Sequence, residues 1–149
     1  PGDGATALLV GDVSFAHDLG GLAAARLARR PLALLVVDND GGRLFEQLPI
    51  AGAASAAQLE QLWLTPPGLD LRAAAATFHL PYAAPRTAEA IADAVRTACA
   101  RAGATVIHLR VAPSSARDAR RRLRAALGAG ADAICASLST SPSSSRSTP

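Results

Sequence analysis

ATALLVGDVSFAHDLGGLAAARLARRPLALLVVDNDGG, residues 5–42 of a 149-residue chain, decides the fold. Two apolar runs, Ala5 to Val10 and Leu32 to Val37, each stop abruptly at a Gly/Asp cluster. Short apolar runs with such ends read as strands buried on both faces of a parallel sheet. Between them, Gly11 to His17 reads as a loop. Asp18 reads as the cap of a helix in which Leu19, Leu22, Ala23 and Leu27 recur at three- to four-residue spacing. Arg29, Arg30 and Pro31 end that helix, and the whole forms one βαβ unit.

Outward from this unit the alternation continues. Leu44 to Leu48 has the spacing of a short helical turn, and Pro49 to Gly68 reads as a long excursion carrying Trp63 and the pair Pro66 and Pro67. Leu71 to Phe78 reads as a helix, and Leu80 to Ala83 as an extended stretch. Thr87 opens an amphipathic helix with Ile91, Val95, Cys99 and Ala102 on one face and Glu89, Asp93 and Arg96 on the other, ended by Gly103. Thr105 to Val111 is a further strand. Ser115 then caps a last helix through about Leu127, with Ala116, Ala119, Leu123 and Ala126 inward. The pattern predicts a three-layer α/β/α domain over residues 1–128 with a mostly parallel sheet. Residues 129–149, rich in Ser, Thr and Pro from Ser137 onward, are expected to form a disordered tail. Pro1 stands almost directly before the first strand, so the chain reads as the C-terminal part of something longer.

Composition excludes several classes. Half of the residues are hydrophobic and 18% are charged, which rules out disorder of the whole chain. No apolar run approaches the roughly 18 residues of a membrane-spanning helix. Cys99 and Cys135 fit neither a disulfide framework nor a zinc spacing, and no secretory signal precedes the first strand, so a soluble, cytoplasmic protein is expected. The net charge of +3 comes from fifteen Arg and no Lys, beside about a quarter Ala, which is the mark of a biased genome. Aromatic residues are 3%, too few for base-stacking platforms, so no nucleic-acid partner is expected.

In open parallel sheets, ligands sit at the carboxyl ends of strands. Here those ends are Gly11 to Ser14 and Asp38 to Gly42, both combining glycines with oxygen-bearing side chains. Asp12, Asn39 and the Gly41 carbonyl form a hard oxygen set of the kind that Mg2+ takes, with phosphate and water completing the shell. Glycines at 11, 41 and 42 let backbone approach a phosphate closely, and Ser14 adds a hydroxyl near a helix start. Ordinary turns are the competing reading, since Gly-Asp and Asp-Gly pairs punctuate many loops. Neither a GK[ST] loop nor GxGxxG is present, which leaves P-loop and dinucleotide folds without support.

GDVSFAHDLGGL at 11–22, DNDGGRLFEQLP at 38–49 and LTPPGLDLRAAAATFHLPY at 64–82 together resemble, in order, three motifs of the 2-succinyl-5-enolpyruvyl-6-hydroxy-3-cyclohexene-1-carboxylate synthases of menaquinone biosynthesis. The matches cover about Leu8 to Tyr82. Gly11 and Asp12, followed by Asn39 with Gly41, are also similar to the general thiamine diphosphate signature. The resemblance implies the diphosphate-binding domain of a thiamine diphosphate-dependent transferase, which decarboxylates 2-oxoglutarate and passes the succinyl unit to isochorismate. It implies Asp12, Asn39 and the Gly41 carbonyl as ligands of Mg2+ or Mn2+. Gly11, Val13, Ser14, Gly42 and Leu44 would lie along the cofactor, and Phe45 and Leu48, beside Leu44, would line the thiazolium and substrate pocket.

The same resemblance places the activating Glu in an N-terminal pyrimidine-binding domain of the same or a partner chain, in a homodimer or tetramer. The present chain then holds no catalytic residue of its own and is not expected to turn over alone. An inactive thiamine diphosphate-binding fragment, or another thiamine diphosphate-dependent 2-oxoacid decarboxylase or synthase, stands as the alternative. Val13 replaces the Gly of the general motif, Asp38 stands where Asn is usual, and Pro67 replaces the usual His. His17 reads as solvent-exposed, His79 and His108 as structural residues in apolar surroundings, and Trp63 as a loop anchor or interface residue. Arg120, Arg121, Arg122 and Arg124 read as a solvated helix face, and Cys99 as an inert core residue.

Overall fold

The computed structural model describes residues 4–113 and 118–128. The chain divides into two units, Pro1–Pro113 and Ser114–Pro149. The first unit runs β1 (Thr6–Gly11), α1 (Asp12–His17), α2 (Gly21–Ala25), β2 (Pro31–Asp38), a 3-10 turn (Arg43–Gln47), α3 (Ile50–Ala53), α4 (Ala56–Leu59), a π turn (Glu60–Leu64), α5 (Leu71–Thr77), β3 (Tyr82–Ala83), α6 (Ala88–Cys99) and β4 (Gly103–Arg110).

All strand pairs are parallel, in the order β1-β2-β4-β3. The period-two alternation of side chains along a strand divides the core in two. On one face of β2 and β4, Leu34, Val36, Ala104 and Val106 pack with Phe15, Leu22, Leu71, Ala74 and Ala75 from the helices. On the other face, Ala33 and Ile107 pack with Ala98 of α6, and Leu35, Val95, Cys99 and Leu109 surround them. Helices therefore cover both faces, giving the expected three layers. Cys99 is half-buried against the second cluster, in keeping with its core-face reading.

The expected helices at Leu71 and Thr87 form with the caps that the sequence implies. The Asp70 carboxylate accepts the N–H groups of Arg72 and Ala73, and the Thr87 hydroxyl accepts that of Ala90. The 3-10 turn lies where Leu44 to Leu48 suggests one.

Other local expectations fail. The first strand is not buried: Leu8 is 48% and Leu9 65% exposed, because β1 forms an edge that pairs only with β2 among the described residues. Residues 12–17 are helical rather than a loop. A six-residue helix with only Asp12 and Phe15 buried is too short to display a period. Asp18 closes α1 instead of capping α2, whose N-cap is Gly20 without a side-chain bond. The neighbouring glycines, each about 1 kcal/mol poorer than Ala in a helix, shorten α2, and Leu27 lies beyond it, 72% exposed.

The excursion of residues 49–68 is largely helical. Its Ala-rich run favours helix, and Ser55 and Gln58 form a reciprocal capping box at the start of α4. Pro66 and Pro67 stop it, after Thr65 in a left-handed conformation (φ 39°). Ala102 is exposed beyond the end of α6. In the second unit, residues 118–128 are helical, and Ala119, Leu123 and Ala126 are exposed rather than inward. Ser115, Ala116 and the expected tail 129–149, with Cys135, lie outside the described residues. Among the described residues no helix is long and apolar enough to cross a membrane.

Candidate functional site

Gly11 pairs in register with Val37, so the loops that leave β1 and β2 emerge side by side at the carboxyl edge of the sheet. Asp12, the first residue after β1, is 4% exposed. Its Oδ1 accepts the Val13 N–H at 2.9 Å and its Oδ2 the Gly41 N–H at 2.7 Å. These bonds hold the carboxylate in one orientation and bring together two of the expected ligand residues.

The second loop is tightly specified. Asp38 Oδ1 accepts the Asp40 N–H at 3.3 Å, Asp40 adopts φ 64° and Gly41 φ 106°. Gly42, at φ −72° and ψ 58°, centres an inverse γ-turn in which the Arg43 N–H bonds the Gly41 carbonyl at 2.8 Å. A Cβ on Gly41 would lie 2.4 Å from the Leu64 carbonyl oxygen, which accepts the Gly42 N–H at 2.7 Å. The room left by Gly41 is thus filled by the chain's own backbone rather than left open to a phosphate. Gly11 differs, with nothing within 4 Å of the equivalent point.

Arg43 stitches the loop from its other side. Its Nε donates to the Asn39 carbonyl at 3.2 Å, and its two terminal nitrogens reach Glu46 at 3.0 Å and Asp40 at 3.2 Å. Nothing in the sequence singled it out. The Asn39 carbonyl is engaged in this way, and its residue is half-buried.

A second polar cluster adjoins Asp12. His108 of β4 lies on the same face as Ala104 and Val106, where its ring bridges Tyr82 and Asp38. Tyr82 Oη is 2.7 Å from Nδ1, and Asp38 Oδ2 is 2.7 Å from Nε2. Arg110 approaches the same Asp38 oxygen at 3.4 Å, and the Arg72 guanidinium stacks over the Tyr82 ring at 4.9 Å. Burial raises the Asp38 carboxyl, but the His108 hydrogen bond, the Asp40 N–H and the charges of His108 and Arg110 outweigh it and hold it below the ordinary carboxylate value. These groups, with Asp12, Asp40, Asp70 and Arg86, line a cleft of about 580 Å³. His108 is buried as expected, yet its surroundings are polar rather than apolar. The alternation of β4 could have placed it at the strand end, but only the strand order brings Asp38 and Tyr82 to its two nitrogens.

The remaining expected residues stand apart from this cleft. Val13 is half-buried and Ser14 exposed, both within α1. Leu44 and Leu48 are exposed at 63% and 44%. Phe45 packs on Trp63 with ring centres 5.6 Å apart, which anchors the 3-10 turn to the π turn. His17 is exposed as expected, whereas His79, expected in apolar surroundings, is exposed as well. Among the described residues no group of three or more His, Cys, Asp or Glu could hold a metal. Any cation at Asp12 would therefore depend on amide, carbonyl and external oxygens.

No family model matches the chain. It is 47% identical to the 2-succinyl-5-enolpyruvyl-6-hydroxy-3-cyclohexene-1-carboxylate synthase of Sorangium cellulosum over 146 residues, covering 89% of this chain and 24% of that protein. The synthases of Bacillus velezensis and Myxococcus xanthus are 42% and 38% identical, over 69% and 82% of this chain and 18% and 20% of their own lengths. Among solved structures, the thiamine diphosphate-dependent 4-hydroxybenzoylformate decarboxylase of Rhodococcus jostii RHA1 superposes with a TM-score of 0.60 at 23% identity, over 72% of this chain and 20% of that one. Benzoylformate decarboxylase from Polynucleobacter necessarius gives 0.58 at 22% identity, over 73% and 20%. These structural likenesses show the fold. By sequence the chain belongs to the 2-succinyl-5-enolpyruvyl-6-hydroxy-3-cyclohexene-1-carboxylate synthase family, of whose members it spans about a quarter or less.

Proposed function

We propose that this chain is the part of a thiamine diphosphate-dependent synthase that grips the cofactor's diphosphate and a divalent cation, Mg2+ or Mn2+. The enzyme would decarboxylate 2-oxoglutarate and transfer the succinyl unit to isochorismate. The observation that carries this reading is the 2.7 Å bond from the Gly41 N–H to the buried Asp12 carboxylate, which joins the two motif loops at the strand ends. The donor set fits a hard cation. Each Asp12 oxygen accepts one N–H, the Gly41 carbonyl accepts one, and each keeps a lone pair.

Asp12, Asn39 and the Gly41 carbonyl would hold the cation. Gly11, where a Cβ would meet nothing, leaves room for the diphosphate, with Val13, Ser14, Gly42 and Leu44 beside it. Leu44, Phe45 and Leu48 would supply an apolar wall that excludes water from the reacting carbon. When bound, thiamine diphosphate supplies the electron sink for decarboxylation. A carboxylate from a pyrimidine-binding domain, in this or a partner chain of a homo-oligomer, would activate it. The exposed Leu44, Leu48, Leu62 and Trp63 form apolar surface that such a domain would cover.

Calorimetry with thiamine diphosphate and Mg2+ tests the reading. Asp12→Ala should abolish cation-dependent binding and Asp18→Ala should retain it. Equal effects of the two substitutions would refute the site. Adding a separately produced N-terminal part of a relative should restore release of carbon dioxide from 2-oxoglutarate, which the chain alone should not support.

A further inference from the structure

His108 has no part in the proposed cation and diphosphate grip, yet it is the centre of a continuous chain of bonds that ends on the proposed cation loop. Tyr82 and Asp38 come from β3 and β2, the two strands that flank β4. The ring therefore ties three strands together at 2.7 Å on each side. His108 is 9% exposed and both its nitrogens have partners, so the ring has a fixed orientation. Asp38 passes that orientation on. With Oδ2 held by His108, its Oδ1 faces the Asp40 N–H and closes a turn. That turn sets Asp40 at φ 64° and Gly41 at φ 106°, the conformation in which the Gly41 N–H reaches Asp12.

Asp40 has no glycine's freedom, so its left-handed backbone needs such a tether to persist. Arg43 grips the loop at the Asn39 carbonyl and the Asp40 side chain, and the Leu64 carbonyl holds Gly42, but among the described residues it is Asp38 that bonds the Asp40 amide.

We propose that His108, held by Tyr82, is a positioning residue whose grip on Asp38 fixes the 38–42 loop and so presents Asn39 and Gly41 beside Asp12. This rests on the reading of that loop as the cation holder. Residues that orient ligands from behind typically change metal affinity by about 10- to 100-fold when removed. His108 here acts one step further back, through Asp38.

The test uses the full chain with three substitutions and two readouts. Amide hydrogen exchange at Asp40 and Gly41, without ligand, reports the loop itself. Mn2+ affinity in the presence of thiamine diphosphate, followed by electron paramagnetic resonance, reports the cation site. His108→Leu should speed exchange at both amides and weaken Mn2+ by about tenfold, with exchange at Val36 and Ile107 unchanged. His108→Gln, whose amide nitrogen can replace Nε2 as donor to Asp38, should restore most of both. Tyr82→Phe should give a smaller loss of the same kind, and it decides the question if the Leu variant fails to fold. Wild-type protection at Asp40 and Gly41 in Tyr82→Phe and in a folded His108→Leu overturns the positioning role, as does a Gln variant no better than Leu. Loop effects as expected in a chain that takes no Mn2+ would instead refute the cation reading, and the role assigned to His108 with it.

Discussion

Three glycines at the site make opposite demands, and replacing each by alanine separates backbone strain from room kept for a ligand. Gly41 has φ 106°, and a Cβ there would stand 2.4 Å from the Leu64 carbonyl oxygen, about 1 Å short of ordinary contact. The left-handed backbone costs an L residue roughly 1–2 kcal/mol. Forcing a main-chain carbonyl aside costs about 1–3 kcal/mol more, as overpacking does. The same shift strains the Gly42 N–H bond to Leu64 and the Gly41 N–H bond to Asp12. Gly41→Ala should therefore lose about 2–5 kcal/mol, a large part of the 5–15 kcal/mol that holds a typical domain together. Gly68 has φ 56° with nothing within 4 Å, so its alanine carries strain alone, about 1 kcal/mol. Gly11 has φ −81° and ψ 162°, an extended conformation open to any residue, and also meets nothing. Its alanine should cost less than about 1 kcal/mol yet weaken Mg2+-dependent cofactor binding, because the space serves the diphosphate. Urea unfolding with a common slope gives the three values. A Gly41→Ala protein within 1 kcal/mol of wild type (about the penalty of a lone left-handed residue), or one no worse than Gly68→Ala, would refute the close-approach reasoning.

Asp38→Asn should cost stability at neutral pH and nothing at low pH. Because the folded carboxyl titrates below its ordinary 3.8, its contribution is complete above that value and is lost as the pH falls through the lower folded one. Unfolding curves from about pH 3 to 7 should converge toward acid, and a constant gap would contradict the His108 and Arg110 pairing. Ile107→Ala, at a fully buried position, should lose about 2–5 kcal/mol, whereas Leu9→Ala, 65% exposed on β1, should lose under about 1 kcal/mol. A costly Leu9→Ala would mean that the β1 edge is covered in solution. Thr87→Ala should cost about 1 kcal/mol through loss of the α6 cap, measured by thermal unfolding.

The layering was legible because β2 and β4 carry long apolar runs whose alternate residues must both be covered. The length of a run says nothing about neighbours, and so Ala5 to Val10 gave no sign that β1 is an edge. Short helices escaped for a related reason. α1 and α4 are held by a helix-start carboxylate and a capping box, not by a periodic apolar stripe. At the site, Asp12 and Gly41 were legible as motif residues, and the βαβ unit accounts for their meeting. The positions of Arg43, Tyr82 and His108 were not, since their partners are backbone atoms of a turn or side chains on strands adjacent only in the folded sheet. Asp38 and His108 lie 70 residues apart in sequence. The glycines at 41 and 42 were recognised as a close approach, but the approaching atoms belong to Phe45 and residues 63–66 rather than to a phosphate.

The central claim, a diphosphate grip built on a cation at Asp12, is tested most directly by calorimetry of this chain with thiamine diphosphate and with thiamine, each with and without Mg2+. Binding is expected for thiamine diphosphate with Mg2+ alone, weakly, and is expected to vanish in Asp12→Ala. Binding of thiamine itself, or binding of the diphosphate that is indifferent to Mg2+ and to Asp12, would contradict it.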